Sequence, residues 1–361
     1  MFISEINILN FRNIKKCSLN IDSNDIVLIG KNGQGKTNLL EVIYYLCYGS
    51  SFRTSNNNDL INNKEKFFFI SFNYSDEKNI LHNVSISYDG ERKLIKMDNK
   101  EILDRRQIIN NIPCIIFSHE DINLVRGELE LKRKFFDQCI TITDSFYINK
   151  LRNYKQILKQ RNSIIKLGRN DLLNLYDEKF IEYGIELIEE RNKICKRISD
   201  IVSDMYKIIS KDNKNIKINY KPSWSLDLNK DDIKNKLVNQ REAEQKFHTT
   251  ISGPHRDKFI ISDDLGLFIN RASTGQIRLI SLLLKTAQAS YYKEKTKMQP
   301  LYLIDDVLLE LDVEKRSDYL KLMGSYSQAF YTFLPNEKYF DEEMMKKKAK
   351  IYNVINGEYY E

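Results

Sequence analysis

The sequence predicts an α/β protein with an antiparallel β subdomain and an inserted α-helical lobe, and three patterns predict it. Residues 26–29 (IVLI) read as a short, wholly apolar strand that suits burial on both faces. It runs through a glycine-rich turn into an apolar stripe at helical spacing, Leu39, Leu40, Ile43, Leu46 and Cys47. From 67 to 102 apolar and polar residues alternate (FFFISFNYS, LHNVSISY, RKLIKM), punctuated by SDEKN, YDGE and DNKE, the pattern of an antiparallel meander. Residues 145–210 contain no proline and step by threes and fours, the pattern of long helices.

Taken in order, the first 50 residues read strand, strand, tight turn, helix. The helical region divides at GRND, 168–171, which would fold two helices into an antiparallel pair. The segment before it, 147–165, has Leu151, Tyr154, Leu158 and Ile165 on one face. The segment after it carries Leu173, Tyr176, Phe180, Tyr183, Leu187, Ile194, Ile198, Ile201, Met205 and Ile208, with Glu190 or Arg191 where one apolar step is missed. Such a helix of about forty residues would be ~60 Å long at 1.5 Å per residue. Strand character returns at 216–220 (IKINY) and 258–262 (KFIIS), with a polar helical stretch, 231–247, between them. A helix over 277–293 precedes another apolar strand, LYLID at 301–305, which ends on acid.

A chain of 361 residues holds two domains, or one large domain with an insertion. With 42% hydrophobic and 30% charged residues it is neither mainly disordered nor fibrous. The net charge of +7 fits an anionic partner without requiring one. Five cysteines (Cys17, Cys47, Cys114, Cys139, Cys195), odd in number and without a CxxC pair, are expected as free thiols in a reducing cytoplasm. Glu5 and Arg12 interrupt the apolar core that a signal peptide needs, and no run of about 18 apolar residues suggests a membrane span. His82, His119, His248 and His255 stand at no metal-ligand spacing.

The chemistry begins at residues 30–37, GKNGQGKT, a full match to GxxxxGK[ST]. Gly30, Gly33 and Gly35 let the backbone wrap close to phosphate, with its amides converging at the start of the next helix. Lys36 would reach the β and γ phosphates and Thr37 would ligate Mg²⁺. The expected ATP-binding set is therefore Gly30, Lys31, Asn32, Gly33, Gln34, Gly35, Lys36, Thr37 and Asn38. Its acidic complement is expected in LYLIDDVLLELD, 269 residues beyond Lys36. There Asp305 would hold Mg²⁺ and Asp306 would orient or deprotonate the attacking water, the catalytic role. Residues 272–276, ASTGQ, taken alone suggest a helix cap; 29 residues upstream of Asp305 they become a second helix N-terminus suited to a γ-phosphate. Two such turns in one chain suggest two chains sharing nucleotides across an interface.

Together these residues resemble the RecF family, ABC-type ATPases related to SMC proteins but lacking their long coiled coils. The resemblance covers nearly the whole chain and includes NFRNI (10–14), FSHEDINLVRG (117–127), KRKFFD (132–137), LRNYKQILKQRN (151–162) and GPHRDKF (253–259). It implies an ABC-type P-loop ATPase head built from residues 1–125 and 250–361, with a helical lobe of 126–249 inserted. It implies further that Ser273, Thr274, Gly275 and Gln276 form a signature turn contacting ATP held by a partner subunit. Asp305 and Asp306 would be the Walker B pair and Asp312 the end of a D-loop. The shorter acid at 306, and Thr332 where many ABC ATPases carry a switch histidine, point to slow hydrolysis acting as a switch. Gln107 is the candidate Q-loop glutamine. Thr274 replaces a common Arg, His119 a usual Pro and Leu309 a small residue, none of them a P-loop or Mg²⁺ group.

Residues 126–169 hold eleven Lys/Arg against four acids, an excess equal to that of the whole chain. Arg152, Lys155, Lys159 and Lys166 share one helical face, with Tyr154 and Leu158 on the other. A solvated amphipathic face explains such a row by itself; the resemblance favours DNA, with Lys132, Arg133, Lys134, Arg152, Lys155 and Lys159 as contacts. His255 and Arg256 fit either a buried polar turn or a contact to DNA or nucleotide. The implied role is recombinational repair and replication-fork maintenance at single-stranded or gapped DNA, including SOS induction. The implied partners are an ATP-dependent homodimer and RecR and RecO-type mediators, in the cytoplasm and with no membrane. The rival readings are a transporter ATPase subunit, an ATP-gated protein scaffold without direct DNA binding, and a nuclease carried on an ABC head.

Overall fold

The structure, a computed structural model, describes residues 1–104, 106–109, 112–210, 214–335 and 348–361. The chain forms two compact units: Met1–Glu120 with Tyr292–Glu361, and Asp121–Tyr291.

The first unit opens with a hairpin, β1 (Phe2–Phe11) and β2 (Ile14–Asn20), whose turn holds Arg12 at φ 52°. β3 (Asp25–Ile29) follows and leads into α1 (Lys36–Tyr48), which is buried along almost its whole length. The meander expected from the alternation is β4 (Phe68–Ser75), β5 (Leu81–Tyr88), β6 (Lys93–Met97) and β7 (Lys100–Glu101). It joins the hairpin in a six-stranded antiparallel sheet, β2-β1-β4-β5-β6-β7. Phe68, Ile70, Phe72 and Tyr74 of β4 turn inward as a period of two requires, leaving Phe69 exposed. A short helix, α2 (Arg106–Ile109), and β8 (Cys114–Phe117) complete this part.

The second unit is mostly helical: α3 (Asn123–Arg126), α4 (Leu129–Thr141), α5 (Tyr147–Lys166) and the 41-residue α6 (Asn170–Ser210). Gly168, at φ 69°, makes the turn between α5 and α6. Two positions along the expected apolar stripe stand out. Ile208 is exposed while Tyr206 and Ile209 are buried, because a 3.6-residue period drifts away from the 3.5-residue average of alternating threes and fours. At the missed step Arg191 itself is buried, its guanidinium bonded to Asp137 and Asp257. β9 (Lys217–Lys221), α7 (Lys230–Asn239), α8 (Arg241–Phe247), β10 (Lys258–Asp263), β11 (Gly266–Leu267) and most of α9 (Thr274–Thr296) follow. Residues 250–291, grouped on sequence with the C-terminal part of the head, fall in this unit: β10 pairs antiparallel with β9, and Asp257 takes the buried Arg191.

The chain returns to the first unit with β12 (Leu301–Asp305), α10 (Val313–Leu322), β13 (Ala329–Phe333), β14 (Lys350–Ile355) and β15 (Glu358–Tyr360). Its second sheet runs β15-β14-β3-β13-β12-β8, parallel except for β15. β13 lies between β3 and β12, with Phe333 opposite Ile29 and Thr332 opposite Asp305, so the ends of all three strands are level. That register brings the residues after β3 to the acids that end β12. All five cysteines are free. Among the described residues no helix is long and apolar enough to cross a membrane.

Candidate nucleotide-binding site

The loop after β3 is built for close backbone packing. Gly30 N–H donates to the Phe333 carbonyl at 3.2 Å, and a Cβ at Gly30 would lie 2.6 Å from the Val354 carbonyl oxygen. Any larger residue would push the loop off β14. Gly35, at φ 117°, precedes α1, and no side chain caps that helix. The first N–H groups of α1 therefore face the loop without a side-chain acceptor, an arrangement that suits an anion. Lys36 is only 4% exposed, and its Nζ donates to the carbonyls of Gly30 at 2.7 Å and Lys31 at 3.4 Å. Lys31, Asn32, Gly33, Gln34, Gly35, Lys36, Thr37, Asn38, Arg53 and Asp306 line a cavity of ≈ 220 Å³.

The acids meet this loop as the register requires. Thr37 Oγ1 lies 2.8 and 3.0 Å from the two carboxylate oxygens of Asp305. Thr332 Oγ1 lies 2.9 Å from Asp305 Oδ1 and 3.0 Å from Asp306 Oδ1, and accepts from the Asp306 N–H at 2.9 Å. Burial pushes the Asp305 carboxyl above its ordinary range, against hydrogen bonds from Thr37 and Thr332 and the charge of Lys36; Asp306 adds to the upward push. A cation placed beside Asp305 would relieve that cost. Asp306 stands in the left-handed region at φ 54°, with Oδ2 3.7 Å from Lys36 Nζ. Among the described residues no group of three or more His, Cys, Asp or Glu side chains gathers to hold a metal. Thr37 and Asp305 are hard oxygen donors of the kind Mg²⁺ takes when phosphate supplies further ligands.

Several residues around the loop were missed on sequence. Buried Glu41 of α1 receives Arg12 at 2.9 and 3.0 Å and Arg53 at 3.2 Å, and Arg53 also donates to Asn38 Oδ1 at 2.9 Å. Asn13 donates to the Gln34 carbonyl at 3.0 Å and accepts from Asn38 at 2.7 Å. Arg12 and Asn13 belong to the quoted NFRNI string, so a signal for them was present. Arg53 lies in the loop after α1 and carried none.

The remaining expected residues lie elsewhere. Asp312 caps α10, accepting from Lys315 N–H at 2.9 Å and pairing with Lys315 Nζ at 2.7 Å, which holds its carboxyl below the usual range. Leu309's side chain lies outside the described residues. Gln107 is exposed on α2. In the second unit Ser273 and Gln276 form a reciprocal cap at the start of α9: Ser273 N–H donates to Gln276 Oε1 at 2.9 Å and Gln276 N–H to Ser273 Oγ at 3.2 Å. Ser273, Thr274 and Gly275 are exposed.

Arg152, Lys155, Lys159 and Lys166 are exposed along α5, with Tyr154 buried behind them. Lys134 on α4 pairs with Glu130 at 2.8 Å, and that carboxyl is lowered chiefly by Lys134 and further by Arg133 and Lys155. Arg133 donates to the Asp257 carbonyl at 2.9 Å, and burial lowers both it and half-buried Lys132. One member of the basic count is not a surface charge at all. Arg161 is fully buried, bonded to Asp177 at 2.8 Å, Glu244 at 2.8 and 2.9 Å and Thr250 at 2.9 Å. His255 meets Tyr154 OH at 2.7 Å and the Thr250 carbonyl at 3.1 Å, and burial lowers its pKa to about 4, so it is neutral near pH 7. Of the two readings for this turn, His255 fits the polar one, while Arg256 is exposed.

A glycine-rich phosphate loop and a distant acid on one parallel sheet, with a helical unit set into the chain, define a P-loop head of the SMC-like class. Comparison with known proteins agrees: the RecF/RecN/SMC N terminal domain family matches residues 2–359. Within that class the chain belongs to the family of the DNA replication and repair protein RecF. It is 36% identical to RecF of Treponema pallidum over 98% of this chain and 99% of that one. It is 32% identical to RecF of Leptospira interrogans over 92% and 91% of the two chains. A solved structure of the recombination mediator RecF with ATP, from the RecFOR pathway, superposes with a TM-score of 0.89 at 28% identity, covering 99% of this chain and 97% of that one. An Smc head bound to the C-terminal winged-helix domain of ScpA shares the fold, with a TM-score of 0.58 at 15% identity over 99% and 96% of the chains.

Proposed function

We propose that this chain is a slow ATP-driven switch of recombinational repair. Mg-ATP is held by residues 30–38 and Asp305, with Thr37 and Asp305 supplying the protein oxygens to the ion. When bound, Mg²⁺ would offset phosphate charge. Lys36 leaves its two carbonyl partners to meet the phosphates. Two copies then close, the signature turn Ser273–Gln276 of each reaching nucleotide held by the other near Asp312. The basic row of α5 and the start of α4 take the DNA backbone at single-stranded or gapped sites. Asp306 orients the attacking water, and hydrolysis reopens the pair. The likeness to the family supports action beside RecR and RecO-type mediators in recombinase loading and SOS induction, in the cytoplasm.

The observation that carries this reading is the meeting of Thr37 and Asp305 at 2.8 Å from positions 268 residues apart, beside Lys36 and Asp306. The named RecF structure with ATP supports it from outside. Light scattering with Mg-ATP tests it. Asp306→Asn keeps the shape of the acid and removes its charge, so the variant should bind ATP and accumulate as a dimer. Loss of ATP binding in Asp306→Asn would show that its role is misassigned, and a wild type that stays monomeric would refute the switch.

A further inference from the structure

We infer that the C-terminal hairpin, β14 with β15, is a positioning strap for the nucleotide-binding loop, so that nucleotide occupancy and order of the hairpin are coupled. The inference rests on the proposal that residues 30–38 bind nucleotide.

The loop needs an external hold. Gly33 and Gly35 sit at φ 79° and 117°, and glycine populates many other conformations as readily. β14 and β15 join through Asn356-Gly357, at φ 50° and 84°, the two-residue turn that an Asn-Gly pair favours. Both N–H groups of that turn end on one loop residue: Asn356 donates to Gln34 Oε1 at 2.8 Å and Gly357 to the Gln34 carbonyl at 2.8 Å. Tyr359 OH donates to the Gly35 carbonyl at 3.0 Å.

The peptide plane converts these bonds into amide direction. In a trans peptide the carbonyl of one residue and the N–H of the next point opposite ways. Drawing the Gln34 carbonyl to the hairpin aims the Gly35 N–H away from it. Tyr359 does the same for the Lys36 N–H, adding to the helical bonds that the Gly35 carbonyl already accepts. Asn13 closes the other side. It donates to the Gln34 carbonyl, and its own carbonyl oxygen would lie 2.4 Å from a Cβ at Gly357. Only glycine lets the hairpin tip come this close. Because coupling is reciprocal, an anion that favours the ordered loop must also favour the ordered hairpin.

The test uses the full chain with Mg-ATP as probe and three readouts: ATP affinity, urea midpoint without nucleotide, and exchange of the Asn356 and Gly357 amides with and without Mg-ATP. Tyr359→Phe keeps the ring and removes one hydrogen bond. It should weaken ATP binding by up to about five-fold, the worth of one such bond, with the part of that worth already present without nucleotide read as a lower urea midpoint. Gly357→Ala should weaken it further, and in the wild type both amides should exchange more slowly once ATP is present. A wild type that binds ATP without protecting these amides, with Tyr359→Phe binding equally well, overturns the strap. A wild type that binds no ATP defeats the nucleotide-binding reading itself, and the strap with it.

Discussion

Replacing Lys36 by Met removes one charge while keeping length and burial, which makes it the cleanest probe of the phosphate loop. A lysine ~4 Å from a phosphate charge gains about 4 kcal/mol at an effective dielectric of ~20. Against this stand the bonds given up, since Lys36 Nζ donates to two carbonyls at 2.7 and 3.4 Å and lies 3.7 Å from Asp306. At roughly 1 kcal/mol net for the shorter bond and less for the others, leaving them costs about 1–2 kcal/mol. The difference, about 2–3 kcal/mol, is a loss of roughly 30- to 150-fold in ATP affinity. Calorimetric titration of Mg-ATP reads it, with a urea curve to confirm that Lys36→Met is folded. A folded variant that loses less than about three-fold would refute the reasoning, since Lys36 would then make no contact with phosphate.

Arg161→Met leaves buried Glu244 without its cation and Asp177 with Arg241 alone, so it should cost about 3–5 kcal/mol by urea denaturation, where a surface lysine change costs little. Changing Arg152, Lys155 and Lys159 together to Glu should make the negative slope of log DNA affinity against log salt shallower by about 3 units and leave ATP affinity unchanged. His255 has a folded pKa of about 4 against 6.5 in the unfolded chain, so the unfolded state binds more protons between those values. Stability contributed by neutral His255 is present above about 6.5 and lost as pH falls toward 4; thermal melts across that window should show it, and His255→Gln should flatten the dependence.

The glycine-rich loop was legible because its pattern is local: eight residues in a row, a buried strand before and a helix after. Asp305 was legible through a second local pattern, and the sheet register explains why a residue so distant in sequence meets Thr37. Helical periodicity reports which face a residue occupies but not whether an arginine there meets water or buried acids. Arg161 was therefore counted with the surface charge of α5, and Arg191 looked like a gap in an apolar stripe. The C-terminal hairpin was missed although Asn356-Gly357 marks its turn, because its strands are short and its partner, Gln34, lies more than three hundred residues earlier. Arg53 has no pattern around it; only tertiary packing on Glu41 sets it beside the loop.

The central claim is that nucleotide governs the grip on DNA, and DNA affinity measured by anisotropy across a salt series, with and without Mg-ATP, tests it most directly. The account predicts tighter, steeply salt-dependent binding with Mg-ATP in the wild type and no gain in Lys36→Met. Affinity that is flat in salt, or the same with and without Mg-ATP, would contradict it.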